Sequence, residues 1–127
     1  VLSGIMRHGI MNNRKIGSVY EQAAGYYLEQ QGYEILQYNY RCHAGEIDIV
    51  ARDGSYIVFC EVKYRKGRGT GNALDAVNEK KQRVLCRCAL FYIMEHNLGE
   101  NQAYRFDVVG IEKNRINVIQ NAFAFYS

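Results

Sequence analysis

The sequence predicts an α/β fold, a mixed β-sheet flanked by helices, with elements in the order α-β-β-β-α-β-β. Three observations carry this reading. Two segments place apolar residues at helical spacing. Asp53-Gly54 stands between two apolar runs and signals a β-hairpin. No proline, low-complexity tract or Pro/Ser-rich linker divides the 127 residues, so the chain reads as one domain from residue 14 to residue 127. Residues 1–13 read as an N-terminal extension, cloning-derived or disordered, with Met11 as the natural start.

The first helix is expected over Ser18–Gln31. Ser18-Val-Tyr-Glu21 fits a capping box and Gly32 fits the C′ position. Tyr20, Ala23, Ala24, Tyr27, Leu28 and Gln31 form its apolar-facing stripe. An extended stretch, Tyr33–Arg41, and a loop at Cys42–Gly45 follow, then strands Glu46–Arg52 and Tyr56–Arg65. Lys66–Gly71 holds three glycines and reads as a mobile loop. A long helix is expected over Asn72–His96, burying Leu74, Val77, Val84, Cys88 and Phe91. Strands Tyr104–Ile111 and Arg115–Ile119 close the domain, and Arg105 and Asp107 share a face of the former as an internal ion pair.

Composition narrows the class. With 48% hydrophobic residues the chain is not globally disordered, and no uncharged apolar run is long enough to span a membrane. Cys42, Cys60, Cys86 and Cys88 form no C-x-x-C pair, which gives zinc little support. Cys60 reads as a core residue. With no secretory signal, the cysteines suggest a reducing, cytoplasmic setting. The formal charge of +3 is uneven: residues 61–90 hold eight basic residues and three acids, a net of +5. Such a block suggests an anionic partner, although a solvated helix face has the same composition.

The hairpin carries the sharpest clue. A type I′ turn at Asp53-Gly54 pairs Arg52 with Ser55, sets Asp48 against Phe59 and sets Glu46 against Glu61. Alternation then puts Glu46, Asp48, Val50, Ile57, Phe59, Glu61 and Lys63 on one face. Carboxylates on neighbouring strands among apolar side chains repel and lose hydration, which one lysine cannot offset. A divalent cation can, and carboxylate oxygens suit Mg²⁺ or Mn²⁺. Asp48 and Glu61 would hold the metal with the Val62 backbone carbonyl, and Lys63 would hold an attacking water or a phosphate oxygen. Such a site hydrolyses phosphodiesters. The same E-x-K spacing also occurs in surface ion pairs; the register, the apolar neighbours and the basic block favour the metal.

The segments Gly17-Ser-Val-Tyr-Glu21-Gln-Ala-Ala, Asn39-Tyr-Arg41, Gly45-Glu46-Ile-Asp48-Ile-Val-Ala, Val58-Phe-Cys-Glu61-Val-Lys63-Tyr-Arg65 and Arg105-Phe-Asp107-Val-Val resemble the small bacterial YraN family. That family is similar in fold to the PD-(D/E)xK nucleases, which include restriction endonucleases and Holliday-junction resolvases. The resemblance implies a restriction-endonuclease-like core. It also implies metal binding by Asp48 and Glu61, support of the nucleophile by Lys63, and completion of the site by Glu21. The proline usual before the aspartate is absent, since Ile47 stands there.

The expected function is therefore a Mg²⁺- or Mn²⁺-dependent endonuclease acting on DNA, branched or damaged DNA included. The alternative is a non-catalytic nucleic-acid- or partner-binding module on the same scaffold. Glu21 could instead only close the capping box, and Glu46 could cap the start of its strand or pair with a basic residue rather than a metal. Arg65, Lys66 and Arg68 suit phosphate contacts. Lys81 falls in an apolar register, so it either snorkels outward or turns to the site. Lys80, Arg83 and Arg87 are expected on the wet face. A homodimer would suit cleavage of two strands.

Overall fold

A computed structural model describes residues 18–65, 77–113 and 115–125. The expected N-terminal extension, the Lys66–Gly71 loop and residues 72–76 lie outside them. Strands β1 (Glu34–Cys42), β2 (Gly45–Asp53), β3 (Tyr56–Arg65), β4 (Ala103–Glu112) and β5 (Arg115–Phe123) form one sheet in that spatial order. Helix α1 (Val19–Gln30) precedes β1, and α2 (Glu79–Glu95) lies between β3 and β4. The β3–β4 pair is parallel and the other three are antiparallel. The chain is the expected mixed α/β fold with the order α-β-β-β-α-β-β. No helix among the described residues is long and apolar enough to cross a membrane.

One helix packs on each face of the sheet. Ala24 and Leu28 of α1 meet Ile49, Ala51, Val58, Cys60 and Val109. Leu85, Cys88, Ala89 and Tyr92 of α2 meet Ile47, Val50, Ile57, Phe59 and Phe106. Covered on both faces, β3 is buried from Ile57 through Glu61, which is why it reads as a continuous apolar run.

Local chemistry sets the helix ends. Ser18 Oγ accepts the Glu21 N–H at 3.1 Å. The Tyr33 N–H donates to the Leu28 carbonyl at 2.9 Å and the Gly32 N–H to Glu29 at 3.0 Å, the paired bonds of a Schellman closure. Tyr20, expected on the apolar stripe, is exposed instead. Helix α2 starts at Glu79, later than Asn72, because Asn78 caps it: its side chain accepts the Lys81 N–H at 2.9 Å. Its buried face holds Cys88 as expected, but Leu85, Cys86, Ala89 and Tyr92 fill the rest, while Val84 and Phe91 are partly covered.

The first hairpin closes over His43-Ala44, and Gly45 lets α2 approach. A Cβ at Gly45 would stand 2.6 Å from Val84 Cγ1, closer than real contacts allow. There too the free thiols of Cys42 and Cys88 stand 3.5 Å apart. The second hairpin corrects the expected register. Its loop is Gly54-Ser55, with Asp53 paired to Tyr56 and Val50, not Asp48, opposite Phe59. Gly54 alone takes positive φ (61°) there, the type II′ pattern with glycine first, not the type I′ turn.

A second correction concerns the faces. Tyr38 packs on the α1 side and Tyr40 on the α2 side, although two residues apart they should share a face. Between them Asn39 takes φ 54°, a conformation that asparagine tolerates better than most residues. On the partner strand Ile47 faces α2 whereas Ile49 faces α1. Alternation therefore changes phase at Asn39 and Asp48. Val50, Ile57 and Phe59 keep the expected common face, and Glu46 leaves it.

At the other end of the sheet, Arg105 and Asp107 form the expected ion pair within a larger network. Asp107, 1% exposed, accepts from Tyr33 Oη at 2.7 Å, Arg105 Nε at 2.9 Å, Arg105 Nη2 at 2.8 Å and the Asn121 N–H at 2.9 Å. Arg105 Nη2 also reaches Asp53 at 2.8 Å. One carboxylate thus ties the start of β1, the second hairpin, β4 and β5 together. Removing one partner of a buried ion pair costs about 3–5 kcal/mol. Arg105→Met should lower the urea-unfolding free energy by about that much, and Arg105→Met with Asp107→Leu should recover part of it. A loss below about 1 kcal/mol in the single variant would show that the network is not a structural lock.

Candidate metal centre

Strands β2 and β3 pair from Asp53↔Tyr56 to Ile49↔Cys60. Beyond that point the Val62 N–H donates to Asp48 Oδ2 at 2.8 Å. A side chain has replaced a ladder carbonyl, so Asp48 stands where the two strands part. The carboxyls of Glu21, from the α1 side, and of Glu61, on β3, are near enough to act on its ionisation. The corrected register and the phase change gather Glu21, Glu46 and Asp48 into one group and Glu61, Lys63 and Lys81 into another, along a seam rather than on one flat face.

On the α1 side, Asn39 Nδ2 donates to Glu21 Oε1 and to Glu46 Oε2, each at 2.8 Å. Glu21 divides its roles: its backbone N–H is capped by Ser18 and its carboxylate turns to the seam. Glu46 also lies 3.7 Å from Arg41 Nε. One oxygen from each of Glu21, Glu46 and Asp48 lies within 4.8 Å of the others, near enough for one ion to touch all three. On the α2 side, Glu61 is 4% exposed. Its Oε2 stands 3.5 Å from Lys63 Nζ and 3.6 Å from Lys81 Nζ. Its Oε1 is buried without a hydrogen-bond partner.

The electrostatics follow from crowding. Burial, then repulsion from Asp48, pushes the Glu61 carboxyl up to about 7, against the pull of Lys81 and Lys63. Burial also raises Glu21 to about 7; the Asn39 amide opposes the rise and Asp48 adds to it. Asp48 is raised by burial, partly offset by the Val62 N–H. Several crowded carboxylates and two buried oxygens without a hydrogen-bond partner, Glu61 Oε1 and Asn39 Oδ1, make an all-oxygen donor set that suits a hard divalent cation such as Mg²⁺ or Mn²⁺.

The remaining candidates separate clearly. Lys81 turns inward to Glu61. Lys80 and Arg87 are exposed, and Arg83 pairs with Glu79 at 3.0 Å on the wet face. Val62 meets the seam through its N–H; its carbonyl is the atom expected to hold a cation. Arg65 ends β3, partly buried. Lys66 and Arg68 lie outside the described residues. His43, in the loop of the first hairpin, packs edge-on against Phe91 at 4.8 Å between centroids. Asn39 is the site residue that spacing and periodicity did not single out. Its signal is its residue type: asparagine both tolerates positive φ and donates two hydrogen bonds from one amide.

The model of the family described as "Uncharacterised protein family UPF0102" matches residues 20–111. That range spans every described residue of the seam. A "UPF0102 protein" of Lachnoclostridium phytofermentans is 46% identical over 116 residues, covering 91% of this chain and 98% of the relative. Another, of Caldicellulosiruptor saccharolyticus, is 42% identical over 119 residues, covering 89% of this chain and all of the relative. A third, of Syntrophus aciditrophicus, is 46% identical and covers 87% of this chain and 90% of its own length.

The raised carboxyls make stability depend on pH with a definite sign. Glu21 and Glu61 hold protons to about pH 7 when folded but only to about 4.3 when unfolded. The folded state binds more protons across that window, so stability falls as pH rises through it. Chelated protein should melt several degrees higher at pH 5.5 than at pH 8. Asp48→Asn should flatten part of that slope by removing the charge common to both groups. A melting temperature that is level or rises with pH across this range would contradict the seam electrostatics.

Proposed function

The chain belongs to the UPF0102 family, the YraN family of the sequence reading, and from that premise we propose that it is a Mg²⁺- or Mn²⁺-dependent endonuclease acting on DNA. The observation that carries this reading is the buried, unpartnered Glu61 Oε1. It belongs to a glutamate between an aspartate of the neighbouring strand and two lysines, inside a seam of carboxylates. Among ordinary protein sites, a buried carboxylate oxygen is given a donor. Here a cation is the partner that would satisfy it.

In this reading Asp48, Glu61 and the Val62 carbonyl hold the cation and Glu21 completes its surroundings, with Glu46 beside it. The metal, when bound, acidifies a water and neutralises charge on the phosphoryl oxygens. The protein's own groups do the rest. Lys63, 3.5 Å from Glu61, is the one to hold the attacking water and take up its developing charge. Lys81, 3.6 Å from the same oxygen, would receive a phosphate oxygen once a cation competes for Glu61. Asn39 fixes Glu21 and Glu46 so that the carboxylates need not reorganise during the reaction. Arg65, Lys66 and Arg68 follow on the same segment and suit backbone phosphates, which give affinity without sequence preference. Cutting both strands would call for two copies of the chain.

One observation favours the alternative of a binding module without catalysis: Lys63 and Lys81 both already pair with Glu61, which reduces the need for a metal. The two readings part in one experiment. Linear, flapped and four-way DNA are incubated with the protein and Mn²⁺ or Mg²⁺. The nuclease reading expects cutting of at least one, abolished by EDTA. Asp48→Ala and Lys63→Ala should each slow it by at least about a hundredfold, with retention on DNA changed far less. Retention with no cutting of any substrate by the wild type would leave the binding module as the function.

A further inference from the structure

Tyr20, the second residue of α1, and Tyr64, near the end of β3, stack on each other with centroids 4.0 Å apart and planes 16° from parallel. Both stay open to solvent, at 39% and 40%. A pair that served only to close α1 on the sheet would gain most by being covered. This one keeps ring surface in water, and Val19 beside it is more exposed still. Its position is specific as well. Tyr20 directly precedes Glu21 and Tyr64 directly follows Lys63, so the rings mark the α1 side of the seam's mouth. Lys63, next to Tyr64 in the chain, and Lys81 meet Glu61 on the other side of the seam.

Exposed aromatic rings beside cations are the composition of a surface that takes single-stranded nucleic acid: the cations meet phosphates and a base stacks on the ring. A base inside a duplex offers no free π-face, so a stacking surface discriminates by pairing state rather than by sequence. Resting on the nuclease reading above, we propose that Tyr20 and Tyr64 form a platform for an unpaired nucleobase, and that the substrate is DNA with unpaired nucleotides next to the phosphate held at the seam. Frayed ends, flaps and the open arms of a junction offer such a base; continuous duplex does not. The ring is the working part and the hydroxyl is not.

The test measures binding apart from cutting. Full-length Asp48→Asn protein is titrated, in Ca²⁺, into a flapped DNA carrying 2-aminopurine as its first unpaired base and into a blunt duplex of matched length. With the platform intact, the flap binds more tightly and 2-aminopurine emission is quenched. Tyr64→Ala and Tyr20→Ala should each weaken flap binding by about tenfold and relieve the quenching, with duplex binding unchanged. Tyr64→Phe and Tyr20→Phe should behave as the parent, which separates loss of stacking from loss of a hydroxyl bond. Melting curves identify any variant that unfolds, and the Phe variants then carry the comparison against Leu at the same positions. Equal loss of flap and duplex binding, or unquenched emission in the parent, overturns the platform. The nuclease reading fails on a different result, the absence of cutting by wild-type protein with Mn²⁺, whatever the tyrosines do.

Discussion

Carboxylates that would rather be apart meet where β2 and β3 separate, and much of the local structure serves to hold them there. Glu21, Glu46, Asp48 and Glu61 come from a helix and two strands. Burial and mutual repulsion raise Glu21, Asp48 and Glu61 above their ordinary ionisation range. Asn39 is the joint of the arrangement. Its left-handed backbone changes the phase of alternation and its amide holds Glu21 and Glu46 together. Without that phase change Glu46 would lie on the α2 side, away from Glu21. The departure from regular sheet geometry is therefore part of how the seam is made.

The two ends of the sheet solve the problem of buried charge in opposite ways. Around Asp107, each side-chain oxygen accepts at least two hydrogen bonds, and Arg105 is drawn into the same network. At the seam, Glu61 Oε1 and Asn39 Oδ1 accept no hydrogen bond. A fully satisfied polar network stiffens a fold, and a partly satisfied one leaves chemistry available. The locked end gives the open end a rigid base, since β3 and β4 run continuously from one to the other, paired from Tyr56↔Ala103 to Arg65↔Glu112.

Element order was legible because each boundary carries its own chemistry: the Ser18 cap, the Gly32 closure, the polar turn after Asp53. The hairpin register differs from the expected one by two residues because Asp53-Gly54 and Gly54-Ser55 both make two-residue loops. Side chains repeat every second residue, so that error left Val50, Ile57 and Phe59 on their common face. The phase change at Asn39 was not legible, since it depends on β1 and β2 reversing together. The start of α2 is not legible in the sequence because Asn72 and Asn78 are both plausible caps. Within the seam, Asp48, Glu61, Lys63 and Glu21 were found by spacing and resemblance, and Lys81 by its odd place in an apolar register. Asn39 acts through a backbone angle that spacing does not encode.

The parallel β3–β4 pairing has a kinetic consequence. The meander β1–β2–β3 and the hairpin β4–β5 are local and can form early, whereas Tyr56 must find Ala103 across the whole of α2. Loop closure of that length is the slow kind of contact. Lys81 reaches Glu61 only when α2 has docked on the sheet, so that ion pair is among the last contacts completed, whereas Lys63 accompanies Glu61 on β3 throughout. A nascent or half-folded chain accordingly has its acids before it has its full set of cations, and the complete constellation belongs to the finished fold alone.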